Sequence, residues 1–207
     1  MTTTFIKRFS FAATLATTVL TSSVLLADDD NEYSKMIDTG VVSPCQYIIP
    51  NSPVCVDVPV KLEEPKVVFN MDHNALRSDG VTPIGMRHMV MLSTAIKNRI
   101  DAGQVKAKDV SVIGVFHGGP AQWVLTNEWW ADNVEGATGN PHAIWLQKLA
   151  GLKAMGVNIQ IEICGVTMTG KGWTNDLVYP GVVVNQGAIG RLVDLQQDGY
   201  ATIQPGK

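Results

Sequence analysis

The chain carries little charge. Only 17% of its 207 residues are Asp, Glu, Lys or Arg, the net charge is −3, and nowhere do Lys and Arg gather into a basic block. A nucleic-acid footprint is therefore not expected. Cysteine is scarce as well: the chain has three, and none forms a C-x-x-C pair, which excludes a thioredoxin-type motif and covalent haem attachment. The four histidines lack the close spacing of a local metal motif. No internal repeat is visible, and no apolar run beyond residue 27 is long enough to span a bilayer.

What is present begins with targeting. Lys7-Arg8 precede an uncharged stretch from Phe9 to Leu26, followed by Ala27 and the acidic run Asp28-Asp29-Asp30. A basic start, an apolar centre and a small residue read as a secretory signal peptide over residues 1–27. The rival is an uncleaved anchor, but the many Ser, Thr and Ala residues make a poor one, so export and cleavage near Ala27 are expected. Cleavage leaves 180 residues with a net charge of −5, because Lys7 and Arg8 leave and no acid does. The expected location is periplasmic or secreted, with no membrane attachment after cleavage. In that oxidising setting Cys45 and Cys55, ten residues apart, are expected to close a small disulfide loop. They lie in residues 28–65, a proline-containing stretch with little apolar periodicity that reads as an N-terminal arm.

From Lys66 the pattern changes to alternating strands and helices. Strands are expected at 66–71, 110–116, 158–163, 181–185 and 200–203, and helices at 83–102, 141–155 and 188–197. Val110-Ser-Val-Ile-Gly-Val-Phe116 is almost continuously apolar, as suits a parallel strand buried on both faces. The fold class is α/β, a mostly parallel sheet of about five strands with helices on both faces, forming one domain over 66–207.

In such a sheet the carboxyl ends of the strands share one edge, where ligands collect. His73, His117 and Cys164 each follow one of the first three strands. Cys164 also precedes Gly165-Val-Thr-Met-Thr-Gly-Lys-Gly172, read as a glycine-rich turn whose N–H groups can stabilise a thiolate. Two chemical readings stand beside that of a small buried hydrophobe. One is an activated thiol with a histidine as base, and the other is a metal site using His, His and Cys. Because no local metal spacing exists, the thiol reading is preferred, and no metal or cofactor is assigned. His117 is the expected partner of Cys164, since Gly118-Gly119 leave room for a ligand. Lys171 adds positive potential or is simply solvated. Gly165-x-x-x-x-Gly170-Lys171 imitates a P-loop, but Gly172 stands where a Ser or Thr must bind magnesium, so nucleotide hydrolysis is excluded. Trp123, Trp129 and Trp130 read as core packing or as the roof of a pocket. His88 and His142 read as structural.

Several short pieces together resemble the DsrE/DsrF-like family, and in particular its exported members. They are Asn140-Pro141 leading a helix, Gly156-Val157, the strand into Cys164-Gly165, Asp176-Leu177, Pro180-Gly181-Val182, and Leu195-Gln196 through Gly199-Tyr200 to Pro205. The resemblance covers about residues 66–206. It implies a three-layer α/β/α domain that assembles into homo-oligomers, commonly trimers or hexamers, and a persulfide-relaying cysteine at the position of Cys164. Here Gly165 is followed by Val-Thr-Met where relatives often carry a glutamine. The expected function is binding or relay of sulfane sulfur on Cys164, with His117 assisting and His73, Gly165 and Lys171 lining the site. The alternative is a non-catalytic oligomeric module that binds a metal, a small ligand or a protein.

Overall fold

The computed structural model describes residues 62–206. The expected signal peptide, the expected Cys45–Cys55 disulfide and nearly all of the expected arm lie outside the described residues. Five strands, β1 (Lys66–Met71), β2 (Ser111–Phe116), β3 (Ile159–Cys164), β4 (Val182–Asn185) and β5 (Ala201–Ile203), form one sheet in the order β4-β3-β2-β1-β5. Every pairing is parallel. The helices are α1 (Ile84–Asp101), α2 (Asn127–Asn133), α3 (Ala143–Ala154), α4 (Gly165–Lys171) and α5 (Ala188–Gln197). The architecture is the three-layer α/β/α arrangement expected from the sequence.

Alternation along the strands sorts the side chains into two cores. Val67, Phe69 and Met71 of β1, Val112 and Phe116 of β2, and Ile159 and Ile163 of β3 pack under Met86, Met89 and Ile96 of α1 and Leu146, Leu149 and Leu152 of α3. The opposite face is smaller: Val68, Ile113, Val115 and Cys164 meet Ala188 and Leu195 of α5. The central strands are covered on both sides, which is why β2 is buried at every position. From β1 to β4 the chain steps one strand at a time in one direction. It then returns through α5 to place β5 beyond β1, so the order reverses at β1.

Local chemistry sets the element ends. Pro83 is extended, with φ −68° and ψ 117°, so α1 starts one residue after it. The helix expected from Pro141 starts at Ala143, because the buried Asn140 holds the preceding turn. Asn140 Nδ2 donates to the carbonyls of Trp123 and Leu125, and its Oδ1 accepts the N–H of His142. Trp123 and Trp130 are buried against the His142 ring, with centroids 5.2 and 5.4 Å away. These aromatics do pack a core, and they also border a cavity of about 310 Å³ together with Asn74 and Val81. Burial pushes the His142 imidazole down to about 4, so it is neutral at physiological pH.

One expected element changes type. Residues 165–171 form the helix α4, not a turn. Cys164 is its N-cap, the sulfur accepting the N–H of Thr167, and Gly172 closes it with a left-handed φ of 69°.

Candidate functional site

Cys164 ends β3 on the face shared with α5. Its side chain is 4% exposed, so the thiol is buried instead of lying open on the edge. Two helix starts converge on the sulfur. The Thr167 N–H of α4 donates to Sγ at 3.5 Å, and the Ala188 N–H at the start of α5 donates at 3.3 Å. Burial pushes the Cys164 thiol up. The Thr167 hydroxyl and the N–H groups of Thr167, Ala188 and Val166 outweigh that burial and hold it below the ordinary thiol value.

The second donor stays in place because of a residue that the sequence reading did not single out. Glu162 lies two residues before Cys164 on the same face and is 1% exposed. Arg191 of α5 grips it with Nε 3.0 Å from both carboxylate oxygens and Nη2 2.8 Å from Oε1. Gln160 Nε2 and Asn185 Nδ2 add donors at 2.8 and 3.0 Å. This clamp fixes α5 to the sheet one turn from Ala188. The carboxylate raises the Arg191 pKa through that hydrogen bond. A charged residue in a strand of alternating apolar and polar residues was the available signal, although its partner lies 29 residues away on another element.

Gly165 is required sterically. A Cβ there would stand 2.7 Å from the backbone oxygen of Asn185, so the end of β4 and the start of α4 can approach this closely only without a side chain.

The expected histidines stand on the carboxyl edge, His73 after β1 and His117 after the adjacent β2. The His117 Nε2 lies 2.7 Å from Asn70 Oδ1, while Asn70 Nδ2 donates to Gln204 Oε1 at 2.7 Å. With the Asn70 oxygen as acceptor, His117 carries its proton on Nε2 and leaves Nδ1 as the basic nitrogen. His73 pairs with Asp72, and Gln204 Nε2 donates to Asp72. Burial lowers the His117 pKa, Asp72 raises it and His73 lowers it. The hydrogen bond of His117 thus goes to Asn70, and those on Cys164 come from α4 and α5. The two sets are linked through adjacent strands: Phe116 is in register with Ile163, so His117 and Cys164 are the next residues on each strand. Lys171 closes α4, roughly 10 Å along the helix axis from Cys164 at 1.5 Å per residue. Among the described residues, no group of three or more His, Cys, Asp or Glu side chains is placed to hold a metal ion.

A groove of about 440 Å³ opens between the starts of α4 and α5, bordered by Val166, Gln186, Gly187 and Arg191. Val166 and Ile189 beside it are 67% and 76% exposed, and Val183, Val184 and Val193 extend the apolar surface.

No family model matches the sequence, and no curated protein matches it. Solved structures that resemble the fold include the following two. The protein MTH1491 of Methanobacterium thermoautotrophicum, described as of unknown function, shares 19% identity over 68% of this chain and 99% of its own, with a TM-score of 0.42. The YchN protein of E. coli shares 11% identity over 68% of this chain and 97% of its own, with a TM-score of 0.43.

Proposed function

We propose that the protein handles sulfane sulfur, taking it up on Cys164 and holding it as a persulfide for transfer. The observation that carries this reading is the convergence of two N–H donors from separate helices on one buried sulfur. Fixed donors stabilise an anion without reorganisation, and they serve a thiolate and a persulfide anion alike.

In the uptake step the Cys164 thiolate attacks the terminal sulfur of a persulfide or polysulfide. The donor's S–S bond breaks, a new S–S bond forms on Cys164, and the donor leaves as a thiolate or a shorter polysulfide. No external oxidant or reductant is needed. His117, neutral with Nδ1 unprotonated, is the group assigned to accept the thiol proton. Because Cys164 is 4% exposed, the donor must present a slender terminal sulfur.

The exposed Val166, Val183, Val184, Ile189 and Val193 support assembly into a homo-oligomer, and the signal-like N-terminus supports action in the periplasm or outside the cell.

The test is intact-mass spectrometry of the protein after brief exposure to inorganic polysulfide. The expected result is a gain of one sulfur atom that dithiothreitol removes and that Cys164→Ser abolishes. An adduct that persists in Cys164→Ser, or no adduct on folded wild-type protein, overturns the reading.

A further inference from the structure

We infer that Asp72 is a positioning residue for His117, setting through the side-chain amides of Gln204 and Asn70 which ring nitrogen of His117 carries the proton. The inference deepens the sulfur-handling reading and rests on it for one step, the acceptance of the thiol proton by His117 Nδ1.

The four residues come from three adjacent strands and meet on the carboxyl edge, where β1 lies between β2 and β5. Phe69 is in register with Ile203 of β5, so Asn70 and Gln204 are the next residues on the two strands. Asn70 is itself in register with Val115 of β2, two residues before His117. The His117 N–H donates to the Met71 carbonyl at 3.0 Å, which pins the residue after β2 to the end of β1.

The side-chain hydrogen bonds between them have one consistent direction. A carboxylate only accepts, whereas an amide has a donating and an accepting end. Asp72 accepts from Gln204 Nε2, which turns the Gln204 oxygen towards Asn70. Gln204 Oε1 accepts from Asn70 Nδ2 at 2.7 Å, which turns Asn70 Oδ1 towards His117. That oxygen lies 2.7 Å from His117 Nε2, so this nitrogen must donate. Reversing either amide, or both, sets two donors or two acceptors against each other at some point of the relay. His73 does not compete. Its Nδ1 also faces the Asp72 carboxylate and must donate to it, so it offers no acceptor to Gln204 Nε2, 3.3 Å away. Asn70 alone accommodates either form of the ring, and the carboxylate at the far end of the relay decides between them.

The charged and titratable groups around His117 are Asp72 and His73 after β1, and Cys164 at the end of the neighbouring β3. Burial lowers the His117 pKa, while the charge of Asp72 raises it and that of His73 lowers it. A charge acting through space changes how readily the ring takes up a second proton. The relay acts on the tautomer of the neutral ring, and the experiment separates the two.

Long-range proton–nitrogen NMR correlation of the protein labelled with nitrogen-15 histidine, recorded above the titration of the ring, shows which nitrogen is protonated. His117→Gln assigns the signals. Wild-type protein should carry the proton on Nε2. Asp72→Lys puts a donor where the acceptor stood, so both amides should turn. The ratio of the Nδ1-protonated to the Nε2-protonated form should then rise by about tenfold, the worth of about one hydrogen bond. In a Gln204→Leu background the relay is cut, and Asp72→Lys should leave the ratio within about twofold. A role in holding the loops together moves no proton between the two nitrogens.

A proton on Nδ1 in wild-type protein, an unchanged ratio in folded Asp72→Lys, or an equal change in the Gln204→Leu background would each overturn the inference. If Asp72→Lys fails to fold, Asp72→Arg supplies the same comparison. The spectra involve no sulfur chemistry. Failure of polysulfide uptake with these spectra as expected sinks the persulfide reading alone, and uptake with an unresponsive ratio sinks only the relay.

Discussion

Arg191→Met on helix α5 should cost about 3 kcal/mol of folding stability. Arg191 is 30% exposed, but its partner Glu162 is 1% exposed, and removing the guanidinium strands a carboxylate in a core between sheet and helix. Breaking such a pair from one side costs roughly 3–5 kcal/mol, and the lower end applies because Gln160 and Asn185 still donate to the carboxylate. The cost belongs to the stranded charge. Adding Glu162→Gln to Arg191→Met should therefore recover a large part of the loss. The effect reaches the site as well. With α5 released, the Ala188 N–H no longer holds its place at Sγ, and alkylation of Cys164 at pH 6 should slow in the single variant. Urea unfolding followed by circular dichroism gives the stability change. A loss below about 1 kcal/mol would show that the clamp contributes no more than a surface ion pair.

Gly165→Ala should have a comparable effect through sterics alone. The added methyl group meets the Asn185 carbonyl at 2.7 Å and Val184 Cγ1 at 3.4 Å. A backbone oxygen cannot rotate aside as a flexible side chain can, so either α4 or the end of β4 must move. The first carries the Thr167 N–H, and the second leads directly to the Ala188 N–H. The substitution should cost about 1–3 kcal/mol and slow Cys164 alkylation, although it removes no polar atom. Gly190→Ala in α5 is the matched control. Nothing lies within 4 Å of the added methyl, and a helical glycine exchanged for alanine should gain about 0.5–1 kcal/mol. Equal stability of the two variants would mean that the close approach at Gly165 is not required.

The central strands β1 and β2 were legible because strands covered on both faces need nearly continuous apolar runs, and β1 matches its expected span at both ends. Helix α5 was legible for a different reason: Gly187 and Asp198-Gly199 punctuate it. The carboxyl-edge placement of His73, His117 and Cys164 followed from order alone, since each residue follows its strand.

The segment after Cys164 was misread because three glycines in eight residues suggest a turn. What makes it a helix is a cap: the thiol of Cys164 accepts the N–H of Thr167, a role usually looked for in Ser, Thr, Asp or Asn. The Cys164-x-x-Thr167 spacing was a readable signal. The clamp at Glu162 was not readable in the same way. Alternation put Glu162 on one face, but only the return of α5 after the strand-order reversal supplies Arg191. Sequence pattern likewise could not show that His117 turns its proton to Asn70, because Asn70 is oriented by Gln204 at the far end of the chain.

The central claim is that backbone donors from two helices hold the Cys164 thiol below its ordinary pKa in spite of its burial. The rate of Cys164 alkylation by iodoacetamide as a function of pH, measured on folded wild-type protein and mapped by peptide mass, tests it most directly. The expected result is a midpoint below the value of about 8.5 for a free cysteine. A midpoint at or above about 8.5, as desolvation alone would give, would contradict it.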